Sequence, residues 1–140
     1  WQGLTALSTG VAAVLAFLML GQQPATTPPA APLIAALGSE SGASAMTASY
    51  DAKTGELILT PVSLDTGKLY PELWVVPDGG TARSLGIVRR DAPSRHVVPE
   101  ELRAAMAAGA TLAITPEPEG GAPGGKATGP IIASGKIVRI

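Results

Sequence analysis

Cysteine is absent from this sequence, and histidine occurs once, as His96. The chain can therefore form neither a disulfide bond nor a thiolate metal site, and a zinc centre would have to rest on carboxylates. The net charge is −1, so there is no basic field to attract nucleic acid. From these absences we predict no metal site, no cofactor and no direct binding of DNA or RNA.

Charge is also absent from the first 39 residues, because all 10 Lys and Arg and all 11 Asp and Glu follow from Glu40 onward. The segment Leu4–Leu20 is 17 residues long, near the lower limit for a helix that spans a bilayer. We predict a transmembrane helix within residues 1–21, with Trp1 at the interface. A buried core helix and a cleaved signal peptide are the alternatives.

The larger apolar residues of this segment favour insertion into a membrane by about 2–5 kcal/mol in total. They are Leu4, Leu7, Val11, Val14, Leu15, Phe17, Leu18 and Leu20.

A proline-rich stretch follows the apolar segment. Pro24–Pro32 contains four prolines in nine residues, which prevents a helix and favours an extended, solvated backbone. We therefore predict a stalk over residues 22–32 and a separate domain over residues 33–140.

The stretch Leu69–Val88 predicts a β-hairpin at the centre of this domain. Its first strand is an uninterrupted apolar run around Trp74, as expected for a strand covered on both faces. Asp78-Gly79-Gly80 has turn chemistry. The predicted structural core of the hairpin is Leu73, Trp74, Val75, Leu85 and Ile87.

The remaining pattern predicts short strands joined by turns rich in glycine and proline. One short helix is predicted after Pro99, with Glu100 and Glu101 in its first turn and Gly109 beyond its end. Seven or eight short strands with a single helix indicate a mainly β domain, an antiparallel β-sandwich.

The sequence offers little support for an enzyme. It has neither a nucleophile elbow nor a phosphate-binding loop. The carboxylate pair Glu100/Glu101 is explained by a helix start, and the pair Glu117/Glu119 by a solvated loop. We interpret His96 as a surface or packed residue, with a pH-responsive role as the alternative.

Four motifs in this order resemble the C-terminal domain of anti-sigma-K factors, the RskA-type family. They are ELWVVPDGG, ARSLGIV, LRAAMAAGATLAITPEPEGGAPGG and KATGPIIASG. The resemblance covers roughly Leu33 to Lys136. The order of the motifs is specific, whereas each motif alone is weak.

The resemblance implies a single-pass regulator in the bacterial inner membrane, with residues 22–140 outside the cytoplasm. In such proteins an N-terminal domain, which this chain does not include, sequesters an extracytoplasmic-function sigma factor. Site-1 and site-2 type proteases then relieve the inhibition by cutting near the stalk and inside the bilayer. The alternative is an exported, membrane-tethered β-sandwich that serves as a binding or assembly module without a sigma factor.

Overall fold

The fold is taken from a computed structural model that describes residues 31–39, 41–42 and 45–140. The predicted span Leu4–Leu20 and the predicted stalk up to residue 30 lie outside the described residues. Within the described ranges, no helix is long and apolar enough to cross a membrane.

The described part consists of nine strands and one α-helix. In chain order these are β1 Leu33–Gly38, β2 Ala45–Asp51, β3 Glu56–Ser63, β4 Tyr70–Val76, β5 Arg83–Ile87, β6 Ser94–Val97, α1 Glu100–Ala107, β7 Thr111–Glu117, β8 Ala133–Lys136 and β9 Val138–Arg139.

The strands form one antiparallel sheet in the order β5-β4-β7-β8-β1-β2-β3-β6, with β9 also paired to β1. The two end strands, β5 and β6, are consecutive in the chain. They are linked by the His96 ring, whose Nδ1 lies 2.9 Å from the Leu85 carbonyl oxygen. The sheet is therefore nearly closed into a barrel-like shape, and we call the unpaired edges of β5 and β6 the seam.

This architecture corrects part of the predicted fold. The mainly β, antiparallel character and the short helix are confirmed, but two stacked sheets are replaced by one continuous sheet. Strand β8 joins the halves, because Ser134 pairs with Ala113 of β7 and with Gly38 of β1. The approach of β8 to β1 is close, since a Cβ added at Gly135 would lie 2.1 Å from the Ala36 carbonyl oxygen.

The predicted hairpin is confirmed as β4 and β5, but its predicted place at the centre of the domain is wrong, because β5 is an end strand of the sheet. The two strands pair antiparallel, with an irregularity at Leu85, which has no direct partner between Gly86 and Ser84. Five consecutive residues of β4, residues 71–75, are buried, so this strand is covered on both faces. Its turn is closed by the Gly80 N–H, which donates to the Pro77 carbonyl oxygen at 2.9 Å.

Side chains that alternate along the strands fill the barrel interior, as Leu33, Ala35 and Leu37 do on β1. The helix α1 packs Leu102 and Met106 into the same core. This alternation assigns one face of every strand to the interior and the other to an outer surface.

A segment without strands crosses part of that outer surface. Residues 118–132, between β7 and β8, contain one 3-10 turn, Pro123–Gly125. We call this segment the strap. It lies over the outer face of β4 and β7, as its hydrogen bonds to Glu72 and Glu117 show.

Candidate functional site

The densest polar cluster among the described residues lies beneath the strap. The indole N–H of Trp74 on β4 donates to the Thr115 hydroxyl on β7 at 2.9 Å. The Thr115 hydroxyl in turn donates to Glu117 Oε1 at 2.5 Å. Trp74, Thr115 and Glu117 are exposed by only 1%, 2% and 0%. They share the outer face because residues two apart on a strand point the same way.

Glu117 is the residue at which the strap is held. The Thr128 backbone N–H is 3.0 Å and 3.1 Å from the two carboxylate oxygens, and the Thr128 hydroxyl donates to one of them. The Gly129 N–H donates to Oε1 at 3.2 Å. Each of these groups donates to the carboxylate, so the site suits its ionised form.

The pKa of Glu117 reflects two opposing causes. Burial by itself raises the pKa of this carboxyl, because it disfavours the charged form. The hydrogen bonds from Thr115, Thr128 and Gly129 favour the charged form and together lower the pKa below its ordinary value. Glu117 is therefore a buried carboxylate that the fold keeps ionised.

Glu72 of β4 is a second attachment point for the strap. The Ala122 N–H donates to Glu72 Oε2 at 2.6 Å, and the Ser84 hydroxyl of β5 donates to Oε1. Glu72 is 5% exposed. A Cβ at Gly121 would lie 3.1 Å from Glu72 Oε2, so a residue without a side chain fits this contact best.

The five residues predicted to form the core of the hairpin do not all lie in the barrel interior. Leu73 and Val75 lie in the interior core, whereas Trp74 lies on the outer face under the strap. Leu85 packs against the core from its edge. Ile87 is 37% exposed, because it pairs with Glu72 on the outer face of the end strand β5.

The interpretation of Glu117 as part of a solvated loop is wrong. Strand β7 extends through Pro116 to Glu117, and the strap then folds back over its carboxylate. Glu119, two residues later, is exposed as predicted for a solvated loop. One sequence signal could have shown that β7 extends to Glu117. Ala113, Thr115 and Glu117 are spaced two residues apart, which continues the alternation of the strand.

Two further buried polar atoms face the interior near the seam. Tyr50, Leu57 and His96 pair across β2, β3 and β6, so they form one cross-strand row. Tyr50 Oη and His96 Nε2 have no hydrogen-bond partner among the described residues. Burial raises the pKa of the Tyr50 phenol, the nearby Arg103 guanidinium opposes this, and Asp51 adds to it.

The opposite outer face, on β1 to β3, carries an uncharged groove of about 290 Å³. Its outward-facing lining side chains are Ile34, Ala36, Thr47, Ser49, Ile58 and Thr60. Aliphatic and hydroxyl groups of this kind can contact a ligand, but they supply no general acid or base. Among the described residues, no group of three His, Cys, Asp or Glu side chains is placed to hold a metal ion.

Comparison with known protein families shows to which family the chain belongs. The family model for the C-terminal part of anti-sigma-K factor rskA matches residues 7–131. The chain belongs to this family. The resemblance carried by the four sequence motifs is thereby confirmed. No curated protein and no solved structure matches the chain.

The rskA C-terminal family match covers both the sheet and the strap. It begins inside the apolar segment Leu4–Leu20 and ends at Ile131, one residue before the end of the strap. The Gly/Pro-rich segment is therefore part of the family domain. Membership in an anti-sigma factor family also implies a sigma factor as partner.

Proposed function

We propose that this chain is the extracytoplasmic sensor and regulatory part of a membrane-anchored anti-sigma factor. The protein controls an extracytoplasmic-function sigma factor through an N-terminal domain, and regulated proteolysis relieves the inhibition. Residues 1–21 cross the bacterial inner membrane once, and residues 22–140 lie outside the cytoplasm. The domain performs no catalysis in this role.

The observation that carries the proposal is the extent of the family match. It extends from residue 7 to residue 131, and so includes most of the apolar segment, the proline-rich stretch and most of the folded domain. An uncharged apolar segment on the N-terminal side of the folded domain supports membrane attachment at that end. The family supplies the link to a sigma factor.

The fold supports a steric role in proteolysis. The domain begins at Leu33, immediately after the predicted stalk, so its bulk lies beside the backbone that a protease must reach. An extended proline-rich segment has no internal hydrogen bonds that would protect it. We infer that the folded domain limits cleavage of residues 21–32 and that unfolding it increases cleavage.

The test uses the full-length protein in its cell. Trp74→Ala and deletion of Leu33–Ile140 are compared with the parent by immunoblotting for the shortened membrane fragment, beside a reporter of sigma-factor activity. Both changes should increase cleavage and reporter output. Lys53→Ala is the control, because Lys53 lies in the exposed turn after β2 and should leave both readouts unchanged.

Unchanged cleavage and reporter output in the deletion would contradict the regulatory role. That result would favour the alternative, a membrane-tethered binding or assembly module without a sigma factor. The uncharged groove on the outer face of β1 to β3 is the feature that favours this alternative.

A further inference from the structure

The strap has no fully buried residue of its own. Every residue from 118 to 132 is exposed or half-buried, although the strand residues beneath it are buried. Its apolar attachment is confined to its end, where Ile132 packs against the core and donates its N–H to the Ile114 carbonyl oxygen at 2.9 Å. The middle of the strap is therefore held chiefly by polar contacts.

Those polar contacts converge on two carboxylates. Ala122 is bound to Glu72, and Thr128 and Gly129 are bound to Glu117. Neither carboxylate forms an ion pair within the described part of the chain. The attachment of the strap thus depends on the hydrogen bonds that the two carboxylates accept from it.

The layer under the strap is distinct from the barrel interior. Trp74 and Ala113 are buried, with only 1% and 4% of their surface exposed, yet neither belongs to the continuous core cluster that fills the barrel. They face outward, while Leu73, Leu112 and Ile114 on the same strands face inward. Uncovering the outer layer would leave the interior packing in place. Regions with few buried apolar contacts open at lower free energy than the core does.

We propose that the strap is a releasable cover, which opens as a unit while the barrel stays folded when Glu117 takes up a proton. Opening exposes Trp74 and the outer face of β4 and β7. This inference rests on the contacts of the strap and does not depend on the proposed control of a sigma factor.

The direction of the pH effect follows from the hydrogen bonds. In the closed state burial raises the pKa of Glu117, and the hydrogen bonds from Thr115, Thr128 and Gly129 outweigh it and lower the pKa. Opening removes the donors of Thr128 and Gly129 together with the burial, whereas the Thr115 bond stays within β7. The stabilisation of the closed state is therefore complete above the ordinary pKa of a glutamate, about 4.3–4.5. It is lost as the pH falls through the lowered pKa of the closed state.

Glu72 is the other ionisable group near Glu117 that holds the strap, because it accepts from the Ala122 N–H. The charged or titratable residues of the adjacent strands and of the strap are Tyr70 and Glu72 on β4, Arg83 on β5, Lys136 on β8, and Glu119 and Lys126 in the strap. Of these, Glu72 alone is buried. Lys136 pairs with Asp78 at 3.1 Å, away from the carboxylate.

A single reporter thiol tests the proposal in the full chain, kept in a nonionic detergent. The natural sequence has no cysteine, so Ala113→Cys introduces one thiol under the strap and Ala48→Cys one thiol in the barrel interior. Both are labelled with 4,4′-dithiodipyridine between about pH 6 and about pH 3, the window over which a glutamate takes up its proton. Each rate is divided by the rate of the same thiol in the urea-unfolded chain at the same pH, because the thiolate fraction falls with acid. We expect this relative rate to rise severalfold at position 113 while position 48 stays protected.

Two glutamate variants separate the role of Glu117 from general effects of charge. Glu117→Gln places an amide N–H against the backbone donors of Thr128 or Gly129, so labelling at position 113 should already be fast at neutral pH and lose its pH dependence. Glu119→Gln removes the same charge from an exposed residue of the strap. This variant should change neither the labelling rate at position 113 nor its pH dependence.

The alternatives give different results. Equal acceleration at positions 113 and 48 would show that the whole barrel unfolds, and a flat profile at position 113 would show that protonation does not open the strap. Either result overturns the proposal. Hydrogen exchange in the unsubstituted chain gives an independent measurement. The Thr128 and Gly129 amides should lose protection with acid while the Val98 amide, bonded to the Gly55 carbonyl oxygen, keeps it.

Discussion

Replacing Thr115 by valine should destabilise the domain out of proportion to the small change in shape. The Thr115 hydroxyl accepts from the Trp74 indole N–H at 2.9 Å and donates to Glu117 at 2.5 Å. After Thr115→Val the indole N–H is buried without a partner, because Trp74 is only 1% exposed. A buried donor left in this way costs about 1–3 kcal/mol. Glu117 retains its bonds to Thr128 and Gly129.

A double-mutant cycle with Trp74→Phe isolates the indole bond from the rest of the packing. Trp74→Phe removes the N–H together with part of the ring. As a single change it therefore removes both a hydrogen bond and buried area. In the Thr115→Val background the same change also removes an unpartnered donor, and its cost should be smaller. We expect a coupling free energy of roughly 1–2 kcal/mol, as side chains in direct contact show.

Urea-induced unfolding, followed by far-ultraviolet circular dichroism, gives the four free energies of the cycle. Thr47→Val is the matched control, since Thr47 is exposed on the outer face of β2 and its change should stay within about 0.5 kcal/mol. If the Trp74 and Thr115 changes were additive within about 0.5 kcal/mol, the indole bond would contribute nothing to stability and the reasoning would be refuted.

Two further predictions concern the closure of the sheet and the independence of the domain. Gly135→Ala should strongly lower the urea midpoint, because its Cβ would lie 2.1 Å from the Ala36 backbone oxygen, whereas Gly38→Ala on the adjoining strand meets nothing within 4 Å and should be well tolerated. An unchanged midpoint for Gly135→Ala would mean that β8 does not approach β1 so closely. A chain lacking Leu4–Leu20 should stay folded, because Leu33–Ile140 contains every core residue of the described fold; loss of cooperative unfolding by calorimetry would contradict this.

Elements decided by local chemistry could be predicted from the sequence. The hairpin around Asp78-Gly79-Gly80 formed where turn residues follow an apolar run, and α1 begins after Pro99 with two carboxylates near its positive end. In the turn between β2 and β3, Asp51-Ala52-Lys53-Thr54-Gly55 has the composition of a hairpin loop that ends in a left-handed glycine. Gly55 has φ +75° and its N–H donates to the Asp51 carbonyl oxygen. Each depends on residues close together in the chain.

The closure of the sheet and the position of the strap could not be predicted in this way. Alternating apolar residues fit a sandwich and a barrel equally well, and the choice depends on β8, a four-residue strand that pairs on both sides. Glycine and proline around Glu117 suggested a solvated loop, because composition does not show that distant backbone donors fold back onto a carboxylate. The partner of Glu117 is Thr128, 11 residues further along the chain.

The position of β1 determines how the domain would resist a pull on its N-terminal end. The chain enters at Leu33, and β1 is flanked by β2 on one side and by β8 and β9 on the other. Near the entry point, the Ile140 N–H lies 3.4 Å from the Pro32 carbonyl oxygen. Ladder hydrogen bonds run perpendicular to the strands. Tension along β1 therefore loads the hydrogen bonds on both sides in shear, instead of unzipping them one by one from a free edge.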